Sequence, residues 1–302
     1  MVREKGERRL MRFLKKINTV KALFICLLCL VVVITAVLWL YDDAVQPLDN
    51  FDSVIFLDVG QGDSALIKSG DYAALIDTGT ATNGLNIAKK LRREGVDKLD
   101  ALILTHPHDD HIGSAEFLLD ELPVENIILS DVLVRDDENA RCYNDIKAYA
   151  QSNDINCYFA QEGMVINIGN FELTVLMCDN TAKDENDTSI IIMAENSDNK
   201  FLFMGDAEIS AENKLISNKV NFDCDVLKVG HHGSNSSTSL SFLDVATPKY
   251  AVISCGENNP YSHPHNDILT RLDNKKIDVY RTDYLGDIKF DIKNGKLFVK
   301  EK

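Results

Sequence analysis

The chain has 302 residues, 45% of them hydrophobic and 26% charged, a composition that fits a globular protein and excludes a fibrous or largely disordered one. Its formal net charge is −15, but residues 1–21 hold eight Lys and Arg and two Glu, which leaves 24 basic and 45 acidic residues, a net charge of −21, in the rest. A body this acidic excludes broad coating of nucleic acid, because phosphate binding rests on clustered Lys and Arg, although bound divalent cations would reverse the field at one site.

A charge-free run of 19 residues, 22–40, follows the basic residues 1–21. Its length matches a helix that spans a bilayer, and it exceeds the apolar core of a signal peptide, about 7–15 residues. No small-x-small cleavage site follows it, so we predict an uncleaved transmembrane anchor. Because basic residues stay inside, residues 1–21 form a cytoplasmic tail, and the linker 41–52 leads to an extracytoplasmic body, residues 53–302, in a single-pass membrane protein.

From residue 53 onward, short apolar runs alternate with helical patterns in one uninterrupted series. The apolar runs predict strands at 53–59, 64–68, 73–77, 99–104, 125–129, 164–168, 171–176, 189–194, 200–204, 225–229, 249–254, 277–281, 286–291 and 295–299. The helical patterns predict helices at 84–94, 112–121, 139–152, 207–217, 238–245 and 265–273. This order, with no second linker and no repeat, predicts one α/β domain of two packed sheets with helices outside them.

The most specific motif is His-x-His-x-Asp-His, formed by His106, His108, Asp110 and His111 directly after a predicted strand. The proline between the first two histidines favours an extended chain, on which side chains two residues apart point to the same side. Asp110 and His111 then fall at the turn into a helix, where aspartate is common. A single histidine here would indicate an ordinary polar loop, but three imidazoles and a carboxylate form a ligand set suited to zinc or manganese.

All seven histidines of the chain fall in three short segments, 106–111, 230–234 and 262–265. Each segment follows a predicted strand, and so does Asp206 in a Gly-Asp pair. Sites in α/β proteins gather where strand ends meet at one edge of a sheet. The sequence therefore predicts that these four segments converge on one site.

These motifs resemble a known family. Asp77-Thr78-Gly79, the His-x-His-x-Asp-His motif and Gly205-Asp206 resemble the metallo-β-lactamase superfamily over roughly residues 51–302. Segments 56–64, 227–234 and 261–265 resemble, more narrowly, the hydrolase domain of the competence DNA-uptake channel family ComEC. The resemblance implies a metallo-β-lactamase-type αββα sandwich, here preceded by one N-terminal transmembrane helix, with a site for two divalent metal ions, zinc or manganese.

The resemblance also implies roles for individual residues. His106 and His108 would bind the first metal, Asp110 and His111 the second, and Asp206 would bridge them. His263 matches a further late ligand by position, and His231 or His232 is the competing assignment. The predicted metal ligands are therefore His106, His108, Asp110, His111, Asp206, His263 and His231, with Asp110 also catalytic. The predicted substrate-binding residues are His232, His265, Ser234, Asp63 and Asp77.

The chain departs from the superfamily pattern at one point. A third histidine for the first metal is expected between His111 and Asp206, and the sequence has none there. Residues 186–189, Asn-Asp-Thr-Ser, occupy the place. The first site is then one nitrogen ligand short, which favours manganese or a water-filled position and argues against lactamase activity.

The resemblance and the ligand types together predict a metal-dependent hydrolase in which two cations activate a water molecule. The leading prediction is a phosphodiesterase or nuclease that acts on single-stranded DNA outside the cytoplasmic membrane. One alternative is an extracellular phosphodiesterase acting on cell-wall or lipid headgroups. A second is a non-catalytic, metal-stabilised interaction domain, which degenerate ligands would indicate. The sequence indicates the membrane as a partner, through the N-terminal helix, and no protein partner.

Overall fold

The computed structural model describes residues 27, 28, 30–33, 35, 51–132 and 138–300. The chain divides into two units, Met1–Asp49 and Asn50–Lys302. The described residues of the first unit are helical. Over the described parts of the chain, no helix has the length and apolar character needed to cross a bilayer. Most of the predicted anchor, together with the predicted tail and nearly all of the linker, lies outside the described residues, so the anchor remains a prediction.

The second unit is built on two sheets. Its strands are β1 (Asp52–Phe56), β2 (Ala65–Ser69), β3 (Tyr72–Ile76), β4 (Ala101–Leu104), β5 (Asn126–Leu129), β6 (Asn156–Phe159), β7 (Val165–Ile168), β8 (Phe171–Met177), β9 (Ile191–Asn196), β10 (Asn199–Phe203), β11 (Val226–Lys228), β12 (Tyr250–Ile253), β13 (Asp278–Arg281), β14 (Ile288–Lys293) and β15 (Lys296–Lys300). One sheet has the order β15-β14-β1-β2-β3-β4-β5-β6, and the other has the order β13-β12-β11-β10-β9-β8-β7.

Helices cover the outer faces of both sheets. They are α1 (Gly84–Arg93), α2 (Asp109–Ile112), α3 (Ala115–Glu121), α4 (Glu138–Ser152), α5 (Ile209–Ser217), α6 (Leu240–Ala246), α7 (Asn266–Asn274) and α8 (Thr282–Leu285). In α1 the apolar residues Ile87, Ala88 and Leu91 recur at helical spacing and are buried, while Lys89 and Arg92 are exposed. This amphipathic pattern is what docks the helix on the sheet.

The inner faces of the two sheets share one apolar core. Phe56 and Phe290 from one sheet pack against Phe201 and Phe203 from the other, and the ring centroids of Phe56 and Phe203 lie 5.7 Å apart. Two further apolar clusters lie between each sheet and its helices. The four layers form an αββα sandwich, so the predicted two-sheet architecture is confirmed.

Each predicted strand appears in the structure, with ends shifted by up to three residues, but β6 was missed. All four of its residues are exposed, and it pairs on one side only, with β5. Its hydrophobic residues, Cys157, Tyr158 and Phe159, are a run of only three, shorter than the roughly four to eight residues that mark a buried strand. The helix predicted at 112–121 instead begins at Asp109 and is divided between α2 and α3.

The topology brings the carboxyl ends of several parallel strands to one edge. β3 and β4 are parallel in the first sheet, and β10, β11 and β12 are parallel in the second. The segments that contain the seven histidines and Asp206 follow β4, β10, β11 and β12 directly. The predicted convergence of these segments is thereby explained by the strand order.

Candidate metal centre

A cavity of about 380 Å³ opens at this edge of the sandwich. Its lining comes from loops after strands of both sheets and consists of residues with polar side chains. The lining residues are Gln61, His108, Asp109, Asp110, Asn186, Asp206, His231, His232, Tyr261 and His263. Such a cavity has the donors to bind cations and room for a substrate group above them.

Two groups of ligand-type side chains meet at the floor of this cavity. One group is Asp63, His111, Asp206 and His232, and the other is His106, His108 and Asp206. Within each group the donor atoms lie within 4.8 Å of one another. Because Asp206 belongs to both, its carboxylate joins two adjacent sites, and the His/Asp cluster is suited to a dinuclear metal centre.

Several donor atoms in the cluster are buried without a hydrogen bond, among the residues that the structure describes. They are Asp63 Oδ1, His111 Nε2, Asp206 Oδ1 and His232 Nε2. A buried polar atom without a partner costs about 1–3 kcal/mol, and more when it is charged. Four such atoms in one cluster, all nitrogen or carboxylate oxygen, are what a divalent cation would satisfy, so the residues present fit a bound metal.

His232 lies deeper in the cluster than the other two late histidines. Its Nε2 is 3.2 Å from Asp110 Oδ2 and 3.4 Å from Asp206 Oδ2, and its side chain is 2% exposed. His231 Nε2 is 3.8 Å from Asp206 Oδ2, and its Nδ1 donates to Glu208 Oε1 at 3.0 Å. His263 packs beside both imidazoles, 6.2 Å from the ring of His232.

This placement differs from the sequence-based assignment, which set His263 and His231 among the ligands and His232 among the substrate contacts. The reason lies in the backbone, because His231 and His232 both adopt left-handed conformations, with φ of 48° and 52°. Such a turn redirects successive side chains in a way that residue spacing does not reveal, and strained backbone of this kind gathers at functional sites. The geometry favours His232 as the metal ligand and places His231 and His263 on the cavity wall.

Charge inside the cluster is balanced between imidazoles and carboxylates. Burial opposes ionisation of Asp206, but the imidazoles of His232 and His111 outweigh it and hold the pKa of that carboxyl well below its usual range. Burial likewise opposes protonation of His111, while Asp206 and Asp77 raise its pKa well above the usual value. Burial lowers the pKa of His106 well below its usual value. Asp206 is thus a permanent anion between the two groups.

Asp77 lies behind the cluster rather than in the cavity. It is 1% exposed, and its Oδ2 accepts from His111 Nδ1 at 2.8 Å while its Oδ1 accepts from the Thr105 backbone N–H at 2.8 Å. The structure therefore gives it a different place from the predicted substrate contact. By accepting from Nδ1, Asp77 fixes the orientation of the ring and leaves Nε2, 3.2 Å from Asp206 Oδ1, as the nitrogen that can bind a metal.

Replacing Asp77 with asparagine should weaken metal binding without removing it. The neutral amide oxygen can accept from His111 Nδ1, but it lacks the negative charge that stabilises the proton there. We therefore expect metal affinity to fall by about 10–100-fold. Calorimetric titration of Mn²⁺ and Zn²⁺ into the metal-free chain measures the effect. Asp100→Asn is the matched control, since Asp100 is also a buried carboxylate but accepts from Ala73 N far from the cluster. Equal affinity in Asp77→Asn and wild type would contradict this role.

Asp63 and the nearest basic side chains are also committed to internal contacts. Asp63 Oδ2 pairs with Lys228 Nζ at 2.6 Å, and Asp63 Oδ1 lies 3.2 Å from His232 Nδ1. Burial opposes ionisation of Asp63, but Lys228 and His232 lower its pKa. Arg281 Nη2 pairs with Asp283 Oδ2 at 2.6 Å. Asp63, predicted to contact substrate, instead supports His232, and neither Lys228 nor Arg281 presents an uncompensated charge to a substrate.

Ser234 and His265, predicted to bind substrate, build the loops around the cavity. Ser234 is 6% exposed, and its Oγ lies 2.8 Å from Ser236 Oγ. His265 Nδ1 accepts from Asn235 N at 2.9 Å, and the residue forms the N-cap of α7. Neither side chain is among the cavity-lining residues.

Sequence reasoning missed other residues at the site. Glu208 binds His231, Glu185 Oε2 lies 3.2 Å from His108 Nε2, and Tyr261 stacks on His263 with ring centroids 5.6 Å apart. The only available signal was proximity in sequence, since Glu208 follows Asp206 by two residues and Tyr261 precedes His263 by two. Glu185 likewise directly precedes residues 186–189, the segment that stands in the place of the expected third histidine.

Comparison with known proteins agrees with this geometry. The sequence model of the metallo-β-lactamase superfamily matches residues 57–159 and 180–257. ComE operon protein 3 of Bacillus subtilis is 32% identical over 268 residues, covering 82% of this chain and 34% of that protein. Competence protein ComA of Neisseria gonorrhoeae is 30% identical over 249 residues, covering 82% of this chain and 33% of that protein. The chain spans about a third of the length of these relatives.

Among solved structures, the metallo-β-lactamase fold protein YhfI from Bacillus subtilis superposes with a TM-score of 0.52 at 15% identity. The match covers 83% of this chain and all of that one. At this identity the similarity establishes the fold and carries no information on the substrate.

Proposed function

Because the chain belongs to the metallo-β-lactamase superfamily of metal-dependent hydrolases, we propose that it hydrolyses phosphodiester bonds and that its substrate is single-stranded DNA. The observation that carries the proposal is the cluster at the cavity floor, in which Asp206 is shared by two groups of donor atoms. Two adjacent cations clamp the attacking and leaving oxygens of an in-line displacement, a geometry widely used on phosphodiesters.

In this proposal His106, His108 and Asp206 would hold one cation, and Asp110, His111, His232 and Asp206 would hold the other. When bound, the cations would lower the pKa of a water molecule and neutralise charge on the phosphoryl oxygens. The carboxylate of Asp110 faces the cavity, 3.2 Å from His232 Nε2, where it would orient the attacking water. Asp77 and Asp63 fix the imidazoles of His111 and His232 from behind.

The cavity wall supplies groups for the substrate. His231 is 24% exposed and held at Nδ1 by Glu208, which leaves its Nε2 to face a substrate group or a water molecule in the cavity. Burial, followed by the imidazoles of His232 and His231, lowers the pKa of His263 to about 4. His263 is therefore neutral at pH 7, and it would contribute a hydrogen bond rather than a charge.

Two arguments support DNA as the substrate. Competence protein ComA is 30% identical over 82% of this chain, and the sequence motifs resemble the DNA-uptake family. The net charge of −21 outside the first 21 residues speaks against long-range attraction of DNA, so delivery by an anchor or partner would matter. We propose that residues 22–40 anchor the chain with the body outside the membrane. Protection of the body from protease added to intact spheroplasts would contradict that orientation.

Metal analysis combined with two substrates tests the function. Full-length chain loaded with Mn²⁺ or Zn²⁺ should cleave both a single-stranded oligonucleotide and bis-p-nitrophenyl phosphate. Asp110→Ala should lower both rates by about 10²-fold, the scale seen when one group that stabilises the transition state is removed. A chain that binds no divalent cation, or an Asp110→Ala variant with the wild-type rate, would contradict the hydrolase. Cleavage of the small diester without cleavage of DNA would instead favour a phosphodiester of the cell wall or of a lipid headgroup as the substrate.

A further inference from the structure

The two groups of donor atoms are unequal. One group contains His111, Asp63, His232 and Asp206, and Asp110 lies close to it. Among the described residues, the other group contains His106, His108 and Asp206 alone. Two imidazoles and one shared carboxylate give a cation at the first position three protein ligands, one fewer than a closed tetrahedral site has, so this position can take a further donor. Such a donor can come from a residue type other than His, Asp, Glu or Cys.

Asn186 is such a donor. Its Oδ1 is buried and makes no hydrogen bond, and the residue lines the cavity together with His108, Asp110 and Asp206. An amide oxygen buried without a partner costs about 1–3 kcal/mol, and a ligand is one explanation for its retention. Amide oxygens are accepted ligands of manganese, magnesium and calcium.

The turn that carries Asn186 is fixed to the cluster by hydrogen bonds on both sides. Ser189 Oγ accepts from the backbone N–H of Asp206 at 3.0 Å, and Ile190 N donates to the Thr105 carbonyl at 3.0 Å. Asp187 Oδ1 accepts from Glu208 N at 3.0 Å. A turn held in this way presents its side chain at a constant position, which is the condition for a metal ligand.

We propose that the Asn186 side-chain oxygen is the missing ligand of the first cation and that it biases this position toward manganese over zinc. The inference rests on the proposed function, since it assigns a residue to the same metal centre. An oxygen donor in place of an imidazole makes the ligand set harder, and harder sets favour manganese relative to zinc.

Glu185 is the competing donor, because its Oε2 lies 3.2 Å from His108 Nε2. Its side chain is 21% exposed and is paired with that imidazole, whereas Asn186 lines the cavity and its Oδ1 is buried without a hydrogen bond. A carboxylate paired with a ligand imidazole acts on the metal through that imidazole. Glu185 is therefore assigned to positioning His108, and its effect on metal affinity should be the smaller of the two.

Calorimetric titration of the chelator-stripped, full-length chain with Mn²⁺ and with Zn²⁺ tests the assignment. Wild type should bind two ions. In Asn186→Ala the affinity for one ion should fall by at least about 10-fold, and the affinity for the other should stay unchanged. Asn186→His should shift that position toward zinc by at least about 10-fold relative to manganese. Glu185→Gln should weaken the same ion less than Asn186→Ala does, and Asn218→Ala, an exposed asparagine at the end of α5, should change neither ion.

Thermal unfolding in chelator separates ligation from folding. Because the Asn186 oxygen has no protein partner, metal-free Asn186→Ala should unfold at the wild-type temperature. If metal-free Asn186→Ala unfolds at a lower temperature than wild type, the Asn186→His variant is the test. An unchanged relative affinity for Mn²⁺ and Zn²⁺ in Asn186→His then overturns the assignment of Asn186 as a ligand. The assignment is also overturned if Asn186→Ala binds two ions with wild-type affinity, or if Glu185→Gln loses more metal affinity than Asn186→Ala does. A wild-type chain that binds no ion contradicts the proposed function itself.

Discussion

Asp206→Asn should strongly reduce hydrolysis and remove both bound cations. The Asp206 carboxylate is the one group shared by the two sets of donor atoms, with Oδ1 3.2 Å from His111 Nε2 and Oδ2 3.9 Å from His106 Nε2. Asparagine keeps the volume but loses the negative charge and one acceptor oxygen. Each cation supplies several kcal/mol of transition-state stabilisation, so we expect a rate loss of roughly 10⁴-fold.

The measurement pairs turnover of bis-p-nitrophenyl phosphate with metal content by mass spectrometry on the same preparation. Asp223→Asn is the matched control, because Asp223 is exposed and pairs only with Lys200 among the described residues. It should keep wild-type turnover and metal content. Two bound ions in Asp206→Asn, or turnover within about 10-fold of wild type, would show that the carboxylate does not bridge the two positions.

How far the sequence predicts this site depends on how local each contact is. The relative placement of His106, His108, Asp110 and His111 follows from strand and helix spacing, and the structure brings all four to one cavity floor or its edge. These four residues converge with Asp206 because the strands that precede them are parallel and end at the same edge. The alternation of apolar runs and helices in the sequence implies such parallel strands.

The remaining contacts depend on backbone conformation and on long-range pairing. The choice among His231, His232 and His263 turns on two left-handed residues, and the sequence contains no glycine at either position to indicate them. Asp63 looked like a loop residue free to bind substrate because its partner, Lys228, is 165 positions away. Such pairs become visible only once the two sheets are packed together.

Breaking the buried ion pair between Lys228 and Asp63 should strongly destabilise the fold. Lys228 lies in β11 with a side chain 4% exposed, and Asp63 with a side chain 7% exposed is its ionic partner at 2.6 Å. Removing one member of a buried ion pair leaves the other charge without compensation, which costs about 3–5 kcal/mol. Lys228→Met should therefore lower the unfolding temperature of the metal-free chain by roughly 10 °C.

A double-mutant cycle separates the lost interaction from lost packing. Asp63→Asn in the Lys228→Met background removes the uncompensated carboxylate, so the double variant should be more stable than Lys228→Met alone. Arg92→Met is the control, because Arg92 and Glu121 form a pair at 2.6 Å whose side chains are 55% and 36% exposed. Exposed pairs contribute about 0–1 kcal/mol, so this variant should unfold within about 3 °C of wild type.

The same cycle shows whether the pair serves the metal centre. His232 Nδ1 donates to the Ser254 carbonyl at 3.0 Å, which keeps Nε2 free for a cation, and the Asp63 carboxylate lies beside the same nitrogen, with Oδ1 3.2 Å away. If Asp63 only offsets the charge of Lys228, the double variant should regain both stability and metal affinity. If Asp63 also fixes the imidazole, as we expect, the double variant should recover stability while metal affinity stays about 10-fold or more below wild type.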